Sequence, residues 1–488
     1  MTDLEADLQS FLRTAEKAAE KIRQWINEGE HIDIFTHNDA DALSSAGIIC
    51  ASLRREDGYF RVRSLNRIED FIELYQNGYV ESRCIIFTDM GSGSLPDLVS
   101  LLGDRSVVVL DHHEPHETEL APEWRHVNPH LHGFDGAREI SAAGVTYFVC
   151  KALNRGNIEF SPLAVVGALG DLQDKNSERK LHGLNELIVK EAVEKNLIEV
   201  KDDIILYGRT FRPLHLALAS TTSPYIPGIS GNEQTAYQFL SSLEIPLKKG
   251  SEWRTLADLT DEEKKKLYNG MIEYLVAKGL PSTIADELVG KTYDLVNEPV
   301  WTYLRDAREY ATLLNACGKS GKGWLGILVA MGARAEILDE AQKVLEDYRM
   351  SLAKSMDYIS QPGVLEELNH IVVLKGGDVI DFRQVSSIAS VLSSSGLLPK
   401  DKALVALANA GKLVKISARA SKQLVDRGLN LGAITSKLGA AYGGRGGGHN
   451  IAAGAEIPSD RMIKFLADFD KAVGEQLAAS DNQIVDRN

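Results

Sequence analysis

At four places in the first half of the chain, an acid or an imidazole directly follows an apolar run. Asp111, His112 and His113 follow Val107-Val108-Val109-Leu110, and Asp89 follows Cys84–Thr88. His37, Asp39 and Asp41 follow Ile32–Thr36, and Asp171 follows Leu163–Gly170. Taken singly, such an acid is commonly a helix cap or a turn residue, and two adjacent histidines are commonly a surface pair. Brought to one edge, this many acids would repel one another unless cations neutralised them. Carboxylate oxygens suit hard divalent cations, and mixed Asp/His donors favour Mn²⁺ or another transition ion, with Mg²⁺ also accommodated. Two such ions about 3.5–4 Å apart would hold a bridging hydroxide and clamp a phosphate for in-line attack.

Those residues need elements that carry them to one place. His31–Thr36, Arg83–Thr88 and Val107–Leu110 are short runs of β-formers, expected as strands buried on both faces. Leu4–Glu28 has apolar residues at helical spacing and stops at Gly29, which predicts a packing helix. Small-residue helices are expected at Ala42–Ile49 and from Ser141, with a turn at Asn128-Pro129 before the second. Leu163–Gly170 is a further apolar run, expected to bring Asp171 to an element end of the same sheet. The alternation over Ile32–Asp171 predicts an α/β fold, a parallel sheet with helices on both faces. Ligands of such sheets lie beyond the carboxyl ends of the strands, where these acids stand.

From about Leu187 the alternation weakens, and Tyr225–Asn232 is rich in turn residues. Thr260-Asp261-Glu262-Glu263 is a capped start for a helix over Leu259–Lys278. The expected organisation is a first domain over 1–200, a mostly helical insertion over 201–280, and a helical connector over 281–364. The connector's helices are Arg305–Cys317 and Ala335–Ser360, the latter without a strict heptad. A smaller α/β domain over 365–488 has strands at Ile371–Leu374, Ala403–Leu407 and Lys412–Arg419, then a helix at Leu429–Leu438. The glycine run Gly443–Gly448 reads either as a flexible loop or as backbone N–H groups that cradle a phosphate, with Arg445 and His449 adding charge.

At 488 residues the chain exceeds one typical domain. Its net charge of −15 argues against a general nucleic-acid coat but leaves room for a local basic groove. Cys50, Cys84, Cys150 and Cys317 lack zinc-ligand spacing and are expected as buried thiols. No apolar run approaches a membrane span, and the acidic start lacks a signal pattern, which predicts a soluble cytoplasmic protein.

In order and placement, Asp39-Ala40-Asp41, Asp89, Asp111-His112-His113 and Asp171 resemble the four motifs of the DHH phosphoesterase superfamily. Gly443–Gly454 resembles the glycine-rich signature of the DHH-associated domain. Thr221–Gly228 and Leu313–Gly318 resemble segments of archaeal RecJ-like nucleases, the GINS-associated nuclease group. The resemblance implies Mn²⁺- or Mg²⁺-dependent exonucleolytic trimming of single-stranded DNA or RNA, in replication or repair, with two ions per site. His37, Asp39, Asp41, Asp89, His112 and Asp171 would be ligands. His37 stands two residues before the first aspartate, where several DHH families have a histidine four before. His113 would stabilise charge or protonate the leaving oxygen, and Asp111 would orient an imidazole. Arg419, Arg445, Gly446, Gly447, Gly448 and His449 would grip the nucleotide. GINS or a helicase would be the protein partner. Two alternatives follow from other members: a replication-fork scaffold, and a hydrolase of oligoribonucleotides or cyclic dinucleotides. Retention of every acidic motif disfavours a scaffold without activity.

Overall fold

Helix α1 (Asp3–Asn27) precedes β1 (His31–Thr36), α2 (Ala40–Arg55), β2 (Tyr59–Ser64), α3 (Ile68–Gln76), β3 (Cys84–Thr88), α4 (Leu95–Leu102), β4 (Ser106–Leu110) and β5 (Trp124–Val127). The computed structural model describes residues 3–221, 224–395 and 397–485. Thr222 and Ser223, inside one segment of likeness, lie outside the described residues. The five strands form a parallel sheet in the order β2-β1-β3-β4-β5. Strands β3 and β4 are buried at every residue, as sheets covered on both faces require. On one face Phe35, Phe87 and Val109 lie in register and pack with Phe71 of α3 and Leu98 of α4. The Phe71 ring stands edge-on to Phe35 at 4.7 Å and to Phe87 at 4.8 Å. On the other face lie α2 and α5, the latter over Ala142–Leu153. Edge strand β2 alternates Phe60 and Val62 with Arg61 and Arg63, a period of two, while β5, at four residues, is too short to show one.

Next come α6 (Ser161–Gly170), α7 (Gly183–Glu194) and β6 (Ile198–Ile204). The run Leu163–Gly170 is therefore a helix, so Asp171 follows a helix rather than a strand. A short apolar run buried on all sides shows neither period, and proline in the first turn is compatible with a helix start. Residues 206–288 carry α8 (Leu214–Ser220), α9 (Glu233–Ser242), the hairpin β7 (Lys248–Lys249) and β8 (Glu252–Trp253), α10 (Asp261–Ala277) and α11 (Thr283–Asp286). Thr260 and Glu263 form the expected capping box.

The stretch expected as a connector divides differently. Strand β9 (Val289–Leu295) pairs antiparallel with β6, and α12 (Ala307–Lys319) and α13 (Gly323–Ala330) pack on α2. Residues Val289–Asp347 thus join Met1–Ile205 in one compact unit, because the apolar faces of α12 and α13 are buried there. Leu206–Leu288 and Tyr348–Asn488 form the second unit, and α14 (Glu336–Ile359) carries the chain across the boundary.

The second unit continues with β10 (Leu365–Glu367), β11 (Ile371–Lys375), α15 (Val385–Ser394), β12 (Ala403–Ala410), β13 (Leu413–Arg419), α16 (Lys422–Asp426), α17 (Leu431–Ala441), β14 (Arg445–Gly448), β15 (Ala452–Pro458) and α18 (Met462–Val485). Six strands pair in the order β10-β11-β12-β13-β15-β14. The glycine run is not a loop throughout: Arg445–Gly448 is an edge strand. Its glycines admit a helix at close range, since a Cβ on Gly446 would stand 2.1 Å from the Thr435 carbonyl oxygen of α17. No helix among the described residues is long and apolar enough to cross a membrane.

Candidate metal centre

Strand register sets the first shared feature of the site. Thr36, Thr88 and Leu110 are partners across β1, β3 and β4. His37, Asp89 and Asp111 therefore leave three adjacent strands at one level. Asp39 caps α2, accepting the Ala42 N–H at 3.1 Å. Asp41 lies buried in the first turn of that helix and accepts the Ala142 and Ala143 N–H groups of α5 at 2.7 and 2.9 Å. Helix α6 delivers Asp171 at its C-terminal end, and its glycines let it approach: a Cβ on Gly167 would lie 2.4 Å from Asp41 Oδ1.

Among the described residues, eight side chains meet in three overlapping groups. Asp89, Asp111, His112 and His113 form one, His37, Asp39 and Asp89 a second, and Asp41, His112 and Asp171 a third. Within each, donor atoms lie within 4.8 Å of one another. Asp89 Oδ1 stands 3.3 Å from His112 Nε2, while its Oδ2 stands 3.9 Å from His37 Nδ1. Asp89 is buried and holds φ at +57°, a left-handed conformation that Asp tolerates better than most residues. Strained backbone of this kind concentrates at functional sites.

The two histidines of the third motif are wired differently. His112 donates Nδ1–H to the Gly136 carbonyl at 2.7 Å, which turns Nε2 toward Asp89 and Asp41 as a lone-pair donor. His113 Nδ1 stands 2.8 Å from Asp111 Oδ1. Asp111 also accepts the backbone N–H groups of His112 at 2.8 Å and Ser92 at 2.9 Å. Its oxygens are engaged within the protein, so it orients the motif. His37 Nδ1 lies 2.7 Å from Asp39 Oδ2.

Electrostatics agree with a cation site. Burial pushes the Asp89 carboxyl well up, and the charges of Asp39 and Asp41 push it further. Burial likewise raises Asp41, against the pull of His112. Asp171 is pushed up to about 6, first by burial, then by Asp41 and Asp39 against His112. Burial opposes the charged form of Asp39, yet His37 and Lys319 hold that carboxyl well below its usual range. Burial lowers His112 and His113, but the surrounding carboxylates lift each to about 9. Acids that raise one another's proton affinity, beside imidazoles aimed by carbonyl and carboxylate partners, form a donor set that fits divalent cations.

Several supporting groups lie outside the expected set. Gln173 bridges the Gly136 carbonyl at 2.9 Å and Asp171 Oδ2 at 3.0 Å, and Asn185 fixes it at 2.6 Å. Asn128 donates to the His113 carbonyl at 2.8 Å and to Ser92 Oγ at 2.9 Å. Gly136 is required because a Cβ there would lie 1.9 Å from the His112 carbonyl oxygen. From α12, Asn315 Oδ1 accepts the Ala40 N–H at 2.9 Å. Of these, the sequence marked Asn315, through the segment Leu313–Gly318, and Asn128, as the start of an expected turn.

The expected nucleotide-binding residues lie in the second unit. Arg419 ends β13 and pairs with Ala452, while Gly448 pairs with Ala453 on the other side of β15, so they share one end of the sheet. The Arg419 guanidinium donates to Ser390 Oγ at 3.1 Å, Ser417 Oγ at 3.0 Å and Ser386 Oγ at 2.8 Å, and to the carbonyls of Ala418 and Ser386. These partners are all neutral, and burial pulls its pKa down to about 10. Arg445 pairs with Glu456 at 3.3 Å, Gly446 and Gly447 lie within β14, and His449 is exposed.

The DHH family N-terminal domain matches residues 31–169, the DHH-CID domain residues 206–289 and the DHHA1 domain residues 370–475. The uncharacterized protein MJ0831 of Methanocaldococcus jannaschii is 32% identical over 472 residues, covering 96% of this chain and 99% of that protein. RecJ in complex with Mn²⁺ from Thermus thermophilus is similar at a TM-score of 0.58 and 17% identity, over 95% of this chain and 55% of that one. CDC45 from Entamoeba histolytica is similar at a TM-score of 0.64 and 15% identity, over 94% of this chain and 99% of that one. At these identities the two solved structures share the fold. With DHH, DHH-CID and DHHA1 domains in order and the Asp and His motifs gathered at one sheet edge, the chain belongs to the DHH phosphoesterase superfamily and has a RecJ-like fold.

Proposed function

We propose that the chain is a divalent-metal-dependent phosphodiesterase, an exonuclease specific for single-stranded DNA or RNA. The observation that carries this reading is Asp89, which belongs to two of the ligand groups, one oxygen near His112 and the other near His37. Asp41, His112, Asp171 and Asp89 would hold one ion, and His37, Asp39 and Asp89 the other, as Mn²⁺ or Mg²⁺. When bound, the ions would supply Lewis acidity to a phosphoryl oxygen and activate water.

The chain's own side chains do the rest. Asp111 holds the His113 ring by Nδ1, which leaves Nε2 of this half-exposed side chain for the substrate. There it would stabilise charge at phosphorus or give a proton to the leaving oxygen. Gln173 and the Gly136 carbonyl keep Asp171 and His112 aimed. In the second unit, the guanidinium of Arg419 has three serine hydroxyls and, among the described residues, no carboxylate partner, a setting that suits a nucleotide phosphate. Gly446, Gly447 and Gly448 on the edge strand, with Arg445 and His449, would complete that grip. The physiological setting we infer is replication or repair, with GINS or a helicase as partner.

The test is incubation with Mn²⁺ and single-stranded DNA and RNA labelled separately at each end. Stepwise release of mononucleotides from one end is expected. Asp39→Ala or His112→Ala should abolish it while the protein stays folded. Wild-type rates in either variant, or no cleavage of either polymer by the wild type, would refute the assignment.

A further inference from the structure

The turn that closes α6 is built around Leu172, the residue after Asp171. Leu172 N–H reaches the Leu169 carbonyl at 3.1 Å and Gln173 N–H reaches back to Ala168 at 3.0 Å. This doubly bonded stop requires a left-handed residue, a conformation that glycine adopts freely and a branched side chain resists. The chain builds the same stop after other helices with Gly29, Gly78, Gly279, Gly321, Gly332 and Gly443. Where it uses a larger residue, after α2, α7 and α9, that residue is polar: Asp57, Asn196 and Glu244. Leu172, at φ +58°, is the one large apolar side chain held at positive φ among the described residues.

Burial does not account for it, because Leu172 is 49% exposed. Its neighbours leave it no room to relax. Asp171 faces His112 at 3.9 Å, and Gln173 is tied to the carbonyls of Gly136 and Ile140. The Asp171 side chain is 38% exposed, so the cluster opens to solvent beside Leu172. An apolar side chain is thus kept in a costly conformation at the rim of a charged site.

We infer that Leu172 is a substrate-contacting residue. It offers an apolar surface to the nucleobase whose phosphate the Asp and His cluster holds. The inference rests on the nuclease reading and adds a base contact at the scissile nucleotide.

The test combines thermal unfolding of the metal-free protein with Mn²⁺-dependent trimming of two single-stranded DNA oligonucleotides. One bears a normal terminal base, and the other is abasic at the terminal nucleotide. Leu172→Gly should raise the unfolding midpoint by about 2–4 °C. It should also raise KM for the base-bearing strand roughly tenfold with kcat little changed, and leave the abasic strand unaffected. Leu172→Met, which keeps apolar reach, should keep KM near wild type. An unchanged KM in Leu172→Gly, in a wild type that trims DNA, overturns the base contact alone. A fall in its unfolding midpoint also overturns it, by making the side chain structural. A wild type inert on both strands, and on the corresponding pair of RNA oligonucleotides, overturns the nuclease reading and this inference together.

Discussion

Asp89 concentrates the cost and the purpose of the site in one residue. It is buried, left-handed, and faced by other carboxylates. Asn tolerates the same conformation, so Asp89→Asn should fold. Its native pKa lies above the unfolded value, so the charged form weakens the metal-free fold. That cost is absent below the ordinary carboxylate range and grows as pH rises through and above it. Metal-free Asp89→Asn should therefore be more stable than wild type near neutral pH, with the gap closing in acid. Mn²⁺ should reverse the order by stabilising only the wild type, as denaturant titrations with and without the ion would show. Activity should fall by more than the roughly 10–100-fold typical of groups that merely orient a ligand. Gln173→Ala should show that milder loss in Mn²⁺ affinity, read by calorimetry. Reasoning from sequence could name Asp89, because an acid after an apolar run is a local pattern. Gln173 stayed invisible, since nothing in Asp171-Leu172-Gln173 says which carbonyl it will meet.

Among the elements, α12 has the closest hold on the first motif. A Cβ on Gly318 would stand 1.6 Å from the Asn38 carbonyl oxygen, so helix and loop touch backbone to backbone. Gly318→Ala should cost about 1–3 kcal/mol by forcing them apart. It should weaken Mn²⁺ binding as well, because Asn38 lies between His37 and Asp39; unchanged binding would detach α12 from the site. Gly447 of β14 is the contrasting case, with nothing within 4 Å of an added Cβ. Gly447→Ala should change stability by no more than about 0.5 kcal/mol, so a loss of oligonucleotide binding there would report a lost contact. Strands β1, β3 and β4 and the capped start of α10 were legible because their period or cap is local. Helix α6 was misread because a fully buried apolar run looks the same as strand or helix. That part of the glycine run forms an edge strand was not legible, because composition does not reveal that a helix lies against it.

Across the whole molecule, the first unit is made from two separated segments, Met1–Ile205 and Val289–Asp347. Strands β6 and β9 pair where the chain leaves and returns, Ile204 opposite Val289. Mn²⁺ should slow amide exchange at the ends of β1, β3 and β4, in the first turn of α2 and in α12, while β11–β13 of the second unit stay unchanged. Hydrogen-exchange mass spectrometry would show it, and equal protection in both units would place the ion elsewhere. The sequence by itself determined which side chains could hold a cation, and that β1, β3 and β4 end in them, because hydrophobic period and strand ends are written within a few residues. Only the tertiary structure decided that Asp171 arrives from a helix and that Asn315 reaches Ala40 across 275 positions. Packing between distant segments sets those contacts, and residue spacing along one chain does not encode it.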